Sequence, residues 1–201
     1  MDKENIIKII VVGDGKVGKT SLINQYLYKE FKENYPTTVA GDKSFHKLKI
    51  DDEEYTIQLW DTAGQEIYRN VNKLFLKNSN VVIFVYDITS KSSYENILKY
   101  WYDEIMSILK KEDIVCGIAG NKVDLYENEK VKFEEVKKYA KSIGAYVKET
   151  SAKNYESINH LIQFLVKKYI SISDNNEVKK GFQLSIPETN PSSSCSLINE
   201  I

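Results

Sequence analysis

The apolar segment Ile6–Val12 leads into Gly13-Asp14-Gly15-Lys16-Val17-Gly18-Lys19-Thr20, which continues as Ser21-Leu22-Ile23-Asn24-Gln25-Tyr26-Leu27. The first segment is typical of a buried strand, and the last is typical of a helix. The octapeptide between them fits Gly-x-x-x-x-Gly-Lys-Thr, in which backbone amides surround phosphates, the lysine reaches the terminal phosphates and the hydroxyl binds Mg²⁺. The helix N-terminus adds partial positive charge. Residues 14–21 are therefore predicted to bind nucleotide phosphates.

Composition limits the class of protein. The chain has 201 residues, enough for one well-buried domain, and a formal net charge of −1. That balance argues against nucleic acid as the main partner, because binding a phosphate backbone needs a basic excess. The two cysteines, Cys116 and Cys195, form no disulfide framework or zinc-ligand spacing. With no signal peptide at the start and no long apolar run, we expect a protein kept in the cytosol.

Apolar runs and helical periods alternate along the chain. The strand-like runs are Ile6–Val12, Phe45–Ile50, Tyr55–Trp60, Val81–Tyr86, Ile114–Ala119 and Ala145–Lys148, and the helical segments are 21–28, 68–77, 92–110, 132–143 and 155–170. This alternation predicts an α/β fold with a mostly parallel, six-stranded sheet and helices on both faces. The acidic turn after Ile50 predicts one antiparallel edge strand. Ligands are expected at the carboxyl ends of the strands.

The composition changes near residue 173. Beyond it the chain is polar and rich in serine and asparagine, with two lysines against four acidic residues. Such a segment cannot bury enough apolar surface to fold and is no polybasic membrane arm. We predict a domain over residues 1–172 and a disordered, flexible tail over 173–201.

Asp61-Thr62-Ala63-Gly64-Gln65-Glu66 closes the strand that ends at Trp60. Behind a phosphate loop, this position suits Asp61 for holding Mg²⁺ and the Gly64 amide for approaching a γ-phosphate. Gln65 is then placed to orient a water molecule. The alternative is a polar turn after a strand.

Asn121-Lys122-Val123-Asp124 follows a later strand. A carboxylate at the edge of a purine accepts two hydrogen bonds from guanine N1–H and the 2-amino group, whereas adenine presents an acceptor and no amine there. Asp124 therefore predicts selection of guanine, which also disfavours an ATP-using P-loop kinase. Thr150-Ser151-Ala152-Lys153 follows the last strand and places the Ala152 amide where it could meet guanine O6.

Together these motifs resemble the Ras superfamily of small GTPases, and within it the Rab family, over residues 6–172. The resemblance implies a P-loop NTPase fold, bound GTP or GDP, and Mg²⁺-dependent hydrolysis of GTP to GDP and phosphate. It implies that Phe31 packs on one side of the guanine and Lys122 on the other. Without the family, Phe31 reads as a core residue. Catalysis is then assigned to Lys19, Gly64 and Gln65, and turnover is expected to be slow without an activating protein.

A threonine of the segment Lys32 to Asp42 is expected to complete the Mg²⁺ site beside Thr20 and Asp61. Thr37 is favoured because it directly follows the proline of this segment. Thr38, however, has the Rab spacing, since it lies eighteen residues after Thr20 and twenty-two before Trp60. We therefore choose Thr38. It is also counted among the GTP-binding residues.

Four aromatic residues are candidates for the surface that Rab proteins present to effectors: Phe45, Trp60, Tyr68 and Phe75. The alternative is that they simply pack the sheet edge and a helix. The sequence departs from the Rab pattern here, because Val39-Ala40-Gly41-Asp42-Lys43 replaces the usual stretch and Phe45 comes two places late.

The C-terminus departs furthest from the Rab pattern. Cys195 is followed by six residues, too many for a C-a-a-X prenylation box. It is a candidate for lipidation by another route or remains unmodified, so we expect weak membrane association at most. The resemblance implies exchange factors, GTPase-activating proteins and effectors, and a role in vesicle traffic on the cytoplasmic face of endomembranes. The rival hypothesis is a guanine-nucleotide-binding scaffold with little hydrolysis or membrane cycling.

Overall fold

The computed structural model describes residues 5–33, 35, 42–62, 73–111 and 114–184. Its strands are β1 (Ile6–Val12), β2 (Asp42–Ile50), β3 (Glu53–Asp61), β4 (Val81–Asp87), β5 (Val115–Asn121) and β6 (Tyr146–Glu149). Its α-helices are α1 (Lys19–Tyr28), α2 (Lys73–Leu76), α3 (Lys91–Asn96), α4 (Tyr102–Ile108), α5 (Phe133–Ile143) and α6 (Tyr155–Leu184). A π-helical turn (Ile97–Trp101) joins α3 to α4, and a 3₁₀ segment (Val123–Asn128) follows β5.

The six strands form one sheet in the order β2-β3-β1-β4-β5-β6. All neighbours are parallel except β2 and β3, which pair antiparallel. The turn between β2 and β3 has positive φ at both central residues, Asp51 and Asp52, as a tight hairpin turn requires. The predicted α/β fold, with its parallel sheet and one antiparallel edge strand, is confirmed.

Helices cover both faces of the sheet, because successive side chains of a strand point to opposite sides. On one face, α1 and α6 pack over β1, β3 and β4. This layer contains Val11, Leu22, Ile23, Leu59, Ile83, Val85, Ile158 and Ile162. On the other face, the run from Lys91 to Ile108 and α5 pack over the alternate residues. That core includes Ile10, Val12, Val82, Phe84, Ile97, Ile105 and Val136.

Several boundaries differ from those predicted. The helix expected over 92–110 is interrupted by the π turn, in which the Tyr102 amide donates to the Ile97 carbonyl five residues back. The strand expected at Ala145 begins at Tyr146, because the Ala145 amide still donates to the Ala140 carbonyl at the end of α5. Of the helix expected over 68–77, the described part is α2, and 68–72 lie outside the described residues.

The chain divides into two compact units, residues 1–169 and 170–201. The helix α6 runs to Leu184, past the predicted boundary at residue 172. Of the tail expected from residue 173, the structure describes 173–184 as the end of this helix, where no proline or glycine precedes Gly181 to end a helix. Residues 185–201, with Cys195, lie outside the described part, and the domain boundary stays a prediction. Within the described residues, no helix has the length and apolar character needed to cross a membrane.

Candidate nucleotide-binding site

The predicted motifs meet at one edge of the sheet. The strands β1, β3, β5 and β6 are parallel to one another, and each ends where a motif begins. Because parallel strands share one carboxyl edge, the glycine loop, Asp61, the segment from Asn121 to Asp124 and the segment from Thr150 to Lys153 lie along that edge. The location predicted for a ligand is therefore where these side chains gather.

The glycine loop needs glycine at two positions. Gly13 has φ of 142°, and a Cβ there would lie 2.2 Å from the Val85 carbonyl oxygen. Gly18 has φ of 96°, and its Cβ would lie 2.4 Å from Asn121 Nδ2. Both the backbone conformation and the close approach exclude side chains here. Between them, Gly15 and Lys16 are exposed at the tip of the loop, where Lys16 also has positive φ.

Lys19 is the buried cation of the loop. Lys19 is the first residue of α1, and its Nζ donates to the carbonyl oxygens of Gly13 (2.9 Å) and Asp14 (2.8 Å). Burial lowers the pKa of Lys19 to about 8, although the negative charges of Asp61 and Asp14 oppose the change. An amine held in this way, beside the exposed residues Gly15 and Lys16, is suited to exchanging carbonyl partners for phosphate oxygens.

Asn121 connects the glycine loop to the motif after β5. It is fully buried, and its Nδ2 donates to the Val17 carbonyl at 2.8 Å. The loop between β1 and α1 is thereby tied to the segment predicted to recognise the base. Two motifs that lie 104 residues apart in the chain form one site.

The carboxylate of Asp124 lies within a small polar cluster. Oδ1 accepts from Ser151 Oγ at 2.7 Å, and Oδ2 pairs with Lys153 Nζ at 2.8 Å. Burial opposes ionisation, but the hydrogen bonds from Lys153 and Ser151 hold the pKa of Asp124 below its usual range. The same Lys153 Nζ lies 5.4 Å above the ring of Phe31, which is partly exposed, and Ala152 is buried. The structure thus gathers the residues predicted around guanine.

Lys122 is held by a residue that the sequence interpretation did not assign. Its Nζ pairs with Asp87 Oδ2 at 2.6 Å, at the end of β4. The other oxygen of Asp87 accepts from the backbone amide (2.8 Å) and hydroxyl (2.7 Å) of Thr89. A signal was present, because an acidic residue directly after a buried strand is expected at this edge of the sheet.

Asp14 is held from the helical layer. Its Oδ2 accepts from Asn96 Nδ2 at 2.6 Å, and its Oδ1 accepts from Trp101 Nε1 at 2.8 Å. The sequence interpretation missed Asn96 and Trp101, because a helix of ordinary periodicity does not place residues five apart on one side.

Two of the predicted metal ligands are in contact. Thr20 Oγ1 donates to Asp61 Oδ2 at 2.7 Å, which joins the start of α1 to the end of β3. Next to Asp61, the hydroxyl of Thr62 donates to the Val11 carbonyl at 2.7 Å and anchors the chain as it leaves the sheet. A hydroxyl and a carboxylate are oxygen donors of the kind that Mg²⁺ prefers.

Three of the four aromatic residues predicted to face effectors are described. The rings of Trp60 and Phe75 lie 5.4 Å apart, and Trp60 is also covered by Lys8 Nζ at 4.7 Å. Phe45 is 55% exposed on β2 and does not share this packing of Trp60 with Phe75. Both rings are only partly buried, and the assignment of these residues to an effector-facing surface stays a prediction.

The remaining predicted residues are placed as follows. Ser21 lies in the first turn of α1. The predictions for Thr37, Thr38, Gly64, Gln65, Tyr68 and Cys195 fall outside the described residues.

Comparison with known proteins gives one consistent family. The model of the Ras family matches residues 8–171. The human Ras-related protein Rab-21 is 36% identical over 182 residues, which cover 90% of this chain and 80% of that protein. Ras-related protein Rab7 of Drosophila melanogaster is 33% identical over 186 residues, covering 90% and 88%. The Ypt/Rab-type GTPase YPT7 of Saccharomyces cerevisiae is 38% identical over 158 residues, covering 76% of each chain.

The family match includes the phosphate loop, the base-recognition motifs and all of the sheet except Ile6 and Ile7. The chain binds GTP and GDP, hydrolyses GTP, and works through the regulators and effectors general to its family. It belongs to the Ras family and is a Rab-like small GTPase.

Proposed function

We propose that this chain is a Mg²⁺-dependent switch in vesicle traffic, and that the residues gathered at the carboxyl edge of the sheet form its guanine-nucleotide site. One observation carries the assignment of the site. The hydrogen bond from Asn121 Nδ2 to the Val17 carbonyl joins the phosphate loop to the base-recognition segment. A ligand that fills both must combine phosphate groups with a base.

The base is selected by Asp124. In the structure its two oxygens accept from Ser151 and Lys153. When guanine binds, the carboxylate accepts from N1–H and the 2-amino group, while Phe31 and Lys122 lie on the two sides of the ring. Because adenine offers an acceptor and no amine at that edge, it would form neither hydrogen bond and would place its own acceptor against the carboxylate.

Hydrolysis needs no covalent intermediate. A water molecule attacks the γ-phosphorus, the bond from that phosphorus to the β–γ bridging oxygen breaks, and the proton of the water passes to the phosphate products. Lys19 and the loop amides neutralise the charge that develops on the phosphate oxygens. By the family resemblance, Gln65 orients the water and the amide of Gly64 binds the γ-phosphate.

The residues present fit a Mg²⁺ ion. The contact between the Thr20 hydroxyl and the Asp61 carboxylate places two oxygen ligands beside Lys19. Thr20 and Thr38 would bind the metal directly, and Asp61 would hold it through water. When bound, Mg²⁺ supplies charge neutralisation at the β- and γ-phosphate oxygens.

The switch consists of the segments around Thr38 and Gly64. By the family resemblance, the γ-phosphate would order them and hydrolysis would release them, so that partners distinguish the two states. We place this activity in the cytoplasm and on the cytoplasmic face of endomembranes, as the Rab resemblance implies. Exchange factors and GTPase-activating proteins set the ratio of the states, and effectors read it.

The first experiment tests the base site. Asp124→Asn should weaken GDP binding and favour xanthosine diphosphate, whose 2-oxo group accepts from the new amide. Competition against a fluorescent GDP analogue measures both affinities. Asp103→Asn, at an exposed position on α4, is the matched control. Unchanged GDP affinity in Asp124→Asn would overturn the assignment.

The second experiment separates catalysis from binding. Gln65→Leu should slow single-turnover hydrolysis while GDP and GTP affinities stay nearly unchanged, because its side chain acts on the water in the transition state. Thr38→Ala should weaken Mg²⁺-dependent effector binding and Thr37→Ala should not. Equal effects of the two threonine variants would contradict the assignment of Thr38.

The third experiment concerns the membrane. A single lipid chain gives only marginal, reversible binding, so we expect a mainly cytosolic protein with a minor membrane fraction that Cys195→Ser largely removes. Fractionation of the tagged full chain measures this. Stable membrane binding that is indifferent to Cys195→Ser would contradict a role for this cysteine.

A further inference from the structure

The helical run beside the phosphate loop contains a π turn at an informative place. In an α-helix, residues five apart point about 140° away from each other around the axis. The i→i+5 hydrogen bond from Tyr102 to Ile97 widens the turn by about one residue, which brings Asn96 and Trp101 towards the same side. Asn96 directly precedes the π segment and Trp101 is its last residue, and the side chains of both contact the same carboxylate.

That carboxylate belongs to Asp14, inside the phosphate loop. Each oxygen accepts one hydrogen bond, Oδ2 from Asn96 Nδ2 (2.6 Å) and Oδ1 from Trp101 Nε1 (2.8 Å). Trp101 is only 3% exposed, so its indole is fixed by the core. An acidic side chain in a loop that binds anions would be repelled by a phosphate if it were free to turn inward. Two donors aligned by the π turn hold it against the helix.

The other contacts of the loop show what this anchoring can control. The backbone carbonyl of Asp14 is one of the two that accept from Lys19 Nζ, so fixing the side chain of Asp14 also fixes a partner of the catalytic amine. The far end of the loop is tied down at Val17 by Asn121. The loop is therefore held at both ends, by a base-recognition residue on one side and by the π turn on the other.

We propose that Asn96 and Trp101 are positioning residues for the phosphate loop, and that the π turn aligns them to hold Asp14 in the geometry that binds a nucleoside diphosphate. The proposal rests on the phosphate site described under the proposed function. It assigns the π turn a role in how tightly GDP is retained, without contact between the turn and the nucleotide.

The test measures release of a fluorescent GDP analogue from the full chain with Mg²⁺ and excess unlabelled GDP. Asn96→Ala and Trp101→Phe should each speed release about tenfold, because each removes a hydrogen bond to a charged group. Glu95→Gln, which removes only an exposed ion pair with Lys99 on the same helical run, should stay within twofold. Affinity for guanosine monophosphate, which lacks the β-phosphate, should change less than twofold in all variants.

An exchange of partners separates positioning from general stability. Asn96→Asp alone places two carboxylates together and should speed GDP release more than Asn96→Ala does. Combining it with Asp14→Asn restores complementarity, since the new amide at position 14 can donate to the new carboxylate and still accept from Trp101. The double variant should recover release within about threefold of the wild type.

Three results would overturn the proposal. These are GDP release within twofold of wild type in Asn96→Ala and Trp101→Phe, equal losses of GDP and guanosine monophosphate affinity, or no recovery in the double variant. A wild-type chain that retained no GDP would instead refute the phosphate site itself, so the two failures are distinguishable.

Discussion

Replacing the buried amide of Asn121 by a carboxylate should reveal how strongly the two halves of the site depend on each other. Asn121→Asp keeps the shape of the side chain but turns the donor that faces the Val17 carbonyl at 2.8 Å into an oxygen. No solvent reaches the side chain. The variant therefore loses a buried hydrogen bond and either buries an unpaired charge or takes up a proton.

The expected loss in the free energy of unfolding is the sum of the lost hydrogen bond and the buried charge. Losing the hydrogen bond costs about 1 kcal/mol, and an uncompensated buried charge costs about 3–5 kcal/mol. At pH 7.5 we expect the free energy of unfolding to fall by about 4–6 kcal/mol. Burial raises the pKa of the new carboxyl in the folded state, so the unfolded chain releases its proton at lower pH than the folded chain. As the pH falls from the raised pKa of the folded state towards the pKa of the unfolded carboxyl, the loss of stability should therefore shrink by about 1.4 kcal/mol per pH unit.

Urea unfolding of nucleotide-free wild type, Asn121→Asp and Asn121→Ala at pH 5.5 and 7.5 measures this without a contribution from bound GDP. Asn121→Ala removes the same donor without adding a charge, so the difference between it and wild type should not depend on pH. The reasoning would be refuted if Asn121→Asp cost less than 1 kcal/mol at pH 7.5. It would also be refuted if its cost were the same at both values.

Three further predictions concern packing, titration and the site. A Cβ at Gly117 would lie 2.6 Å from Leu165 Cδ1, so Gly117→Ala should lower the free energy of unfolding by about 1–3 kcal/mol. A double-mutant cycle should show that cost nearly vanish in a Leu165→Ala background, and an equal cost in both backgrounds would contradict the contact. Burial lowers the pKa of His46, so the unfolded chain binds the proton more readily and stability should fall as the pH drops below about 6.5. His46→Gln should remove that part of the pH profile of urea unfolding, and an unchanged profile would rule it out. Asp87→Asn should weaken the ion pair that holds Lys122 and reduce GDP affinity about tenfold in competition binding, whereas an unaltered affinity would show that Lys122 needs no such partner.

Much of the fold could be predicted because its signals are local. Each buried strand of the sheet is a short apolar run, and the acidic turn at Asp51 and Asp52 predicts the antiparallel edge pair. The helix from Lys91 to Ile108 shows the limit of such signals. Its apolar residues fit a helical period on average, but the choice between an i→i+4 and an i→i+5 bond at Ile97 depends on what the side chains on either end contact.

The same distinction holds for the site. The sequence by itself determined the chemistry, because the phosphate loop needs glycines and Lys19 next to one another in the chain, and the base motif needs Asp124 close behind Asn121. Only the tertiary structure decided which side chains hold those groups in place. Asp87 meets Lys122, and Asn96 and Trp101 meet Asp14, across separations of 35, 82 and 87 residues. Hydrogen bonds and ion pairs act over about 3 Å in space whatever the distance along the chain, so partners of this kind become visible only when the sheet and its helices have brought them together.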